Sequence, residues 1–233
     1  MRLKLESLAS GAPALVVMCT RPRLGAGKLR PDGGDEAQVA FELAQALVDC
    51  AIEDAQAWPG PVILALAQPA DLAWAGTVAR RDWSIVGQAS GNPGERINAI
   101  DHLLRRHGAR ALAFVGTTVP LLSEPDYSAA RSGLDTFDVV LTPAAGGGIA
   151  LMASRRPWPD LATLAWNTKR LGAELAYLCE REGLSVEKLG RRQQVEAVGD
   201  LERVVPDLST DGRAGRQKLL ALARHIGASQ PPA

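Results

Sequence analysis

Arg21, Arg23, Lys28 and Arg30 crowd into one stretch, Thr20 to Gly34 (TRPRLGAGKLRPDGG), in which the first acid is Asp32. Cationic side chains on a loop broken by glycine and proline suit phosphate binding, because guanidinium, ammonium and free main-chain N–H groups all oppose oxyanions. A solvated basic loop would carry the same residues. The spacing is not a Walker motif: Gly25-Ala26-Gly27-Lys28 lacks both the earlier glycine and the following Ser or Thr. A second candidate is Gly91 to Arg96, GNPGER, which could aim backbone donors at an anion from a helix N-terminus or could simply start a helix. Gly146-Gly147-Gly148 could pass beneath a sugar or base, or form an ordinary connection. The turn Gly116-Thr117-Thr118-Val119-Pro120 places two hydroxyls directly after an apolar run, Ala111 to Val115.

Other chemistries find less support. His102 and His107 are five apart and do not align on one helix face for a metal; with His225 they read as surface residues. Cys19, Cys50 and Cys179 are widely separated, as expected of buried thiols in a reducing cytoplasm. No Ser/His/Asp or Cys/His constellation follows from spacing. Lys+Arg and Asp+Glu balance at 26 each, so nothing in the whole-chain charge draws it to nucleic acid or an anionic membrane. A secretory leader is not expected, because Glu6 interrupts the basic start and Met18 is too bulky for a cleavage site. No run reaches the ~18 apolar residues of a membrane span.

The elements that must hold these loops can be read in order. Strands are predicted at Ala14 to Cys19, Val62 to Ala67, Trp83 to Gly87, Ala111 to Val115, Phe137 to Thr142, Ile149 to Ala153 and Leu184 to Leu189. Between them lie helical patterns. One runs from Asp35 to about Trp58, with Val39, Leu43, Leu47 and Cys50 expected to face the sheet. Others cover Asp71 to Arg80, a stretch opening at Glu95 with Ile97, Ile100, Leu103 and Leu104 in one stripe, and a segment begun by the Ser123/Asp126 capping box. A helix bearing Leu171, Leu175 and Leu178 follows, then a helical tail from Asp200 to Ile226 with fraying beyond Gly227. The alternation predicts one α/β domain over residues 1–233: a mainly parallel sheet with helices on both faces, a core of about 14–201 and a helical extension of about 202–226. Its richest loops all follow strands, so several should converge on one rim.

Taken together, the loops resemble bacterial GT-A-type, nucleotide-diphospho-sugar transferase-like proteins of the arsenosugar-biosynthesis glycosyltransferase type. That family's K-x-P-x-x-G-x-x-K-T-R-L loop is matched by Pro22, Gly25, Lys28 and Arg30, and its Q-G-x-G-x-L-G-E-R segment by Gln88, Gly91, Gly94, Glu95 and Arg96. Its G-S-D-x-P turn corresponds to Gly116 through Pro120, and P-x-x-D-G-G-Y to Pro143 through Ile149. W-S-T corresponds to Trp166-Asn167-Thr168, and the closing D-x-D-x-x-x-D-L to Gln194 through Leu201. The resemblance implies a GT-A-like fold and a nucleoside diphosphate sugar or nucleotide as partner. It further implies phosphate or nucleotide contacts from Arg21, Arg23, Gly25, Lys28, Arg30, Gly91, Arg96, Thr117, Thr118, Gly147 and Gly148.

The acids depart from that pattern. Thr118, Gly146 and Gln194 stand where the family has aspartates, leaving Glu196 as the carboxylate and catalytic acid/base candidate. A departing diphosphate is ordinarily stabilised by Mg²⁺ or Mn²⁺. Neutral Thr118 and Gly146 offer no anionic oxygen, so neither ion is expected as a cofactor. Sugar transfer would then depend on the cationic loop. The alternatives are a catalytically inactive binding or scaffold protein on the same fold, and a nucleotidyltransferase.

Overall fold

The computed structural model describes residues 4, 8, 11–25 and 34–229; Lys28 and Arg30 lie outside the described residues. Among these, seven strands form one sheet: β1 (Ala14–Cys19), β2 (Val62–Leu66), β3 (Ser84–Gly87), β4 (Leu112–Gly116), β5 (Val139–Pro143), β6 (Ile149–Ser154) and β7 (Val186–Lys188). Their order is β3-β2-β1-β4-β6-β5-β7, which puts β4 at the centre. β1 pairs in parallel with β2 and β4, β2 with β3, and β5 with β7, whereas β6 runs antiparallel between β4 and β5. The sheet is thus mixed and mainly parallel. The four strands preceding the candidate loops, β1, β3, β4 and β5, end at the same edge as β2, and β6 begins there.

Central strands covered on both faces should be apolar throughout, and β1 and β2 are: Leu15, Val16, Val17, Ile63, Leu64 and Ala65 are fully enclosed. Burying each Leu or Ile contributes roughly 1.5–3 kcal/mol. One face is covered by α1 (Gly34–Ala57), α2 (Leu72–Val78) and α4 (Glu124–Thr136), through Val48, Ile52, Ala75, Tyr127 and Leu134. The other is covered by α3 (Pro93–Arg106) and α5 (Leu171–Arg181), through Ile97, Ile100, Leu104, Leu175 and Leu178.

Leu43, Leu47 and Cys50 do not face the sheet as expected. They join α6 (Leu201–Leu208) and α7 (Ala214–Ser229) in a separate apolar cluster with Val204, Leu208, Leu219 and Leu220. α1 is apolar on two sides because it lies between the sheet and this outer helical layer, and one hydrophobic stripe could not reveal which side met which partner. The helical tail is also interrupted. α6 and α7 are separated at 209–213, where Asp211 accepts the main-chain N–H of Arg213 at 3.0 Å. The helix then continues through Gly227 to Ser229 instead of ending at Ile226. No helix among the described residues is long and apolar enough to cross a membrane.

The edge strand β7 is held by a polar clasp. Asp138 accepts the main-chain N–H and hydroxyl of Ser185 at 3.1 and 3.0 Å, and Arg155 Nε at 3.2 Å. The Ser185 main-chain N–H holds the Asp138 carboxyl below its ordinary 3.8, with burial acting in the opposite sense and the Ser185 hydroxyl and Arg155 adding to the lowering. A carboxyl whose folded value is depressed stabilises the fold above its ordinary value and loses that contribution as pH falls through the folded one. Asp138→Asn is therefore expected to flatten the acid limb of stability below pH 3.8, as read by urea denaturation at a series of pH values. An unaltered limb would refute the assignment.

Candidate functional site

The C-terminal ends of β1 to β5 and the start of β6 form the rim on which the candidate loops meet. In open α/β sheets this edge is where ligands bind. The turn after β4 begins at Gly116 and carries Thr117 and Thr118, both half-buried. A strap from Arg192 to Glu196 crosses the rim from β5 towards β4. Arg192 N–H donates to Pro143 O at 3.0 Å, Ala145 N–H donates to Arg192 O at 2.9 Å, and Val195 N–H donates to Thr118 O at 2.8 Å. Arg192 is anchored through its guanidinium on Asp126 of α4, with Nε to Oδ2 at 3.0 Å. Asp200 fixes the far end by accepting the N–H groups of Glu196 and Ala197, each at 2.9 Å.

This strap brings together residues far apart in sequence. Gln194 Nε2 donates to Thr118 Oγ1 at 3.0 Å and to Glu196 Oε1 at 3.1 Å. A Cβ built on Gly148 would lie 3.4 Å from Gln194 Oε1, so the triple-glycine loop borders the same group. Gly147 has φ +90° and lies against Lys169, while Gly146 faces open space. Thr118, Gln194, Glu196 and Gly148 thus form one cluster, neutral except for Glu196.

Hard divalent ions take several oxygen ligands, usually including carboxylates. Here one carboxylate stands beside a hydroxyl and an amide already bonded to each other, and no group of three or more His, Cys, Asp or Glu among the described residues could hold a metal. The residues do not fit a tightly held divalent ion.

The basic loop is less free than its composition implies. Arg21 and Arg23 both pair with Asp71, which follows β2 and is nearly enclosed, Arg21 at 3.7 Å. Both arginines stay partly exposed, at 45% and 41%, so each keeps donors facing solvent. Gly25 is left-handed, with φ +71°, and no atom among the described residues lies within 4 Å of an added Cβ. Asp71 also reaches Cys19 at the end of β1, where burial first and that carboxylate second push the thiol up to about 12. Cys50 and Cys179 are likewise raised to about 12 by burial, so all three cysteines are packing residues rather than nucleophiles.

Gly91 and Arg96 sit together at the start of α3, which begins at Pro93 with Asn92 as its cap. Asn92 Oδ1 accepts Glu95 N–H at 3.0 Å, Glu95 Oε2 accepts Asn92 N–H at 2.6 Å, and Arg96 Nε donates to Gly91 O at 2.9 Å. The chain's own carboxylate therefore occupies the anion position of this helix start. α3 is tied to the 161–166 segment, with Asn98 Oδ1 accepting Leu161 N–H at 2.8 Å and Asn92 Nδ2 donating to Ala162 O at 2.9 Å. His102, His107 and His225 are exposed, as expected.

Sequence reasoning read Asp71 and Asp126 only as helix starts and passed over Arg216, three residues that fix the rim loops. A carboxylate one strand away from a basic loop is the one signal that could have drawn attention to Asp71.

A family match covers residues 51–168, from the second half of α1 to the turn before α5. The chain belongs to the family described as "Uncharacterized protein conserved in bacteria (DUF2064)". The match includes the loops after β2, β3, β4 and β5. Among solved structures, this DUF2064 member is similar to a Desulfovibrio desulfuricans G20 protein provisionally assigned as a nucleotide-diphospho-sugar transferase. The TM-score is 0.81 at 18% identity over 93% of this chain and 95% of that one. A cytidylyltransferase from Leptospira borgpetersenii matches with TM-score 0.56 at 10% identity, covering 96% and 99%. Rv0371C of Mycobacterium tuberculosis H37Rv, in complex with manganese, matches with TM-score 0.51 at 17% identity, covering 83% and 98%. These likenesses establish the fold, that of nucleotide-sugar transferases and cytidylyltransferases. No curated protein matches the sequence.

Proposed function

We propose that this protein binds a nucleoside diphosphate sugar across the rim and transfers the sugar without a tightly held metal. The observation that carries the reading is the Thr118–Gln194–Glu196 cluster: a hydrogen-bonded bridge with Glu196 as its one carboxylate, joining Thr118 and Gln194, two of the three positions at which the sequence resemblance places metal-binding aspartates. The fold supports this class of ligand. Its likeness to a nucleotide-diphospho-sugar transferase extends over nearly the whole chain. Rv0371C is a manganese complex, whereas no group of three or more His, Cys, Asp or Glu among the described residues of this chain could hold a metal.

In this reading Lys28 and Arg30 oppose the charge of the departing diphosphate, and Arg21 and Arg23, each paired with Asp71, add to it. Preorganised cations in a partly desolvated site can replace a metal in that role. Thr117 and Thr118 contact donor oxygens, Gly147 and Gly148 line the donor pocket, and Glu196 takes the acceptor's proton. The likeness to a cytidylyltransferase over 96% of the chain supports a second reading, nucleotidyl transfer from a nucleoside triphosphate.

Calorimetric titration with UDP-, GDP- and TDP-sugars, with and without Mn²⁺, separates these readings. Binding of at least one is expected without Mn²⁺, and Lys28→Ala with Arg30→Ala should weaken it more than about tenfold, since a charged hydrogen bond contributes about 1.5–3 kcal/mol. Binding that demands Mn²⁺, or no binding to any of the three, would refute the proposal. Pyrophosphate release from a nucleoside triphosphate would establish the second reading.

A further inference from the structure

Arg216 lies on α7, on the outer helical layer, yet its side chain is entirely enclosed. Every donor of its guanidinium is engaged. Nε donates to Pro120 O at 2.9 Å, and Nη2 donates to Leu122 O at 3.1 Å and to Asp54 Oδ2 at 2.7 Å. Nη1 donates to Cys50 O at 2.7 Å and to Glu53 Oε2 at 3.1 Å. Arg213 shares two of these partners, donating to Leu122 O at 3.0 Å and to Asp54 Oδ1 at 2.6 Å.

Two of the five acceptors are carbonyls of the turn that follows β4. Pro120 O is two residues from Thr118, and the ring of Pro120 fixes its own φ. A displacement at Pro120 therefore passes along a stiff segment to Thr118, whose carbonyl accepts Val195 N–H and whose hydroxyl accepts Gln194 Nε2. No other described side chain donates to Pro120 O among the hydrogen bonds here, and only Arg213 shares Leu122 O.

We infer that Arg216 is a positioning residue for the 116–122 turn, setting the height of Thr118 under the strap from the opposite side of α1. This rests on reading the rim as the ligand site. A planar fork with five donors can serve two turn carbonyls, one α1 carbonyl and two carboxylates simultaneously. An ammonium has three donors and no fork, so Arg216→Lys keeps the charge beside Asp54 and gives up the turn.

Hydrogen exchange of the whole chain tests this without requiring any ligand. In Arg216→Lys, peptides covering 117–122 and 194–197 are expected to exchange about tenfold faster or more, while peptides in β1 and β2 keep the parent rate. If that variant does not fold, Arg213→Lys, which loses the second contact to Leu122 O, is expected to give the same local pattern at smaller amplitude. Unchanged exchange in the turn and strap, or uniform acceleration across the sheet, would overturn the inference. In the calorimeter, the sugar nucleotide that binds the parent is expected to bind Arg216→Lys about tenfold more weakly at a temperature where both are folded; equal affinity would overturn it. A parent that binds no sugar nucleotide defeats the proposed function, while the exchange pattern still decides the role of Arg216.

Discussion

Asp54→Ala is expected to cost about 3–5 kcal/mol of stability and to lower Tm by on the order of 10 °C. Asp54 is buried and accepts from Arg216 Nη2, Arg213 Nη1 and the Tyr127 hydroxyl, at 2.7, 2.6 and 3.0 Å. Burial pushes its carboxyl up, and the Arg216 guanidinium is the strongest influence in the opposite direction. Burial, then Asp54, raises the Tyr127 phenol well above its usual range, so it remains a donor. Removing the carboxylate leaves Arg216 enclosed with only Glu53 as countercharge, and losing one partner of a buried pair costs far more than the pair contributes. The control is Asp49→Ala, which breaks the exposed 2.9 Å bridge to Lys218; it should cost less than about 1 kcal/mol. Thermal and urea denaturation of both variants checks the prediction, and equal costs would refute it.

Gly147→Ala should cost roughly 3 kcal/mol, combining a left-handed alanine with a lost main-chain hydrogen bond. Gly147 has φ +90°, and an added Cβ would stand 2.0 Å from Lys169 O, a main-chain atom that cannot swing aside. Relief requires the 143–148 loop and the start of α5 to part, breaking the 2.9 Å bond from Gly172 N–H to Gly147 O. The loop would then withdraw Gly148 from Gln194, so affinity for any rim ligand should fall alongside stability. Gly146→Ala is the matched control: among the described residues no atom lies within 4 Å of its added Cβ, and a cost below about 0.5 kcal/mol is expected. Urea denaturation that ranks the two alike would contradict the loop geometry.

Much of the architecture was legible because its signals are local. The apolar runs at Ala14 to Cys19 and Ile149 to Ala153 became β1 and β6, and the Ser123/Asp126 capping box caps α4. What lay beyond reach depends on partners distant in sequence. The antiparallel course of β6 is set by pairing with β4 and β5, and its composition carries no mark of direction. The two apolar sides of α1 were foreseeable only once α6 and α7 were seen to cover one of them. At the rim, spacing exposed the loops and the neutral Thr118, but not Asp71 as the keeper of Arg21 and Arg23. Arg216 gave no hint either, since an arginine in an amphipathic helix ordinarily reads as solvated, and its carboxylate partners precede it by more than 160 residues.

That separation bears on biosynthesis. On the ribosome Asp54 emerges long before Arg216 (|i−j| = 162), so a growing chain that has completed most of its sheet still lacks the cation its interior acid requires. Closure of α1 over Asp54 therefore waits for α7, the helix that carries its cation.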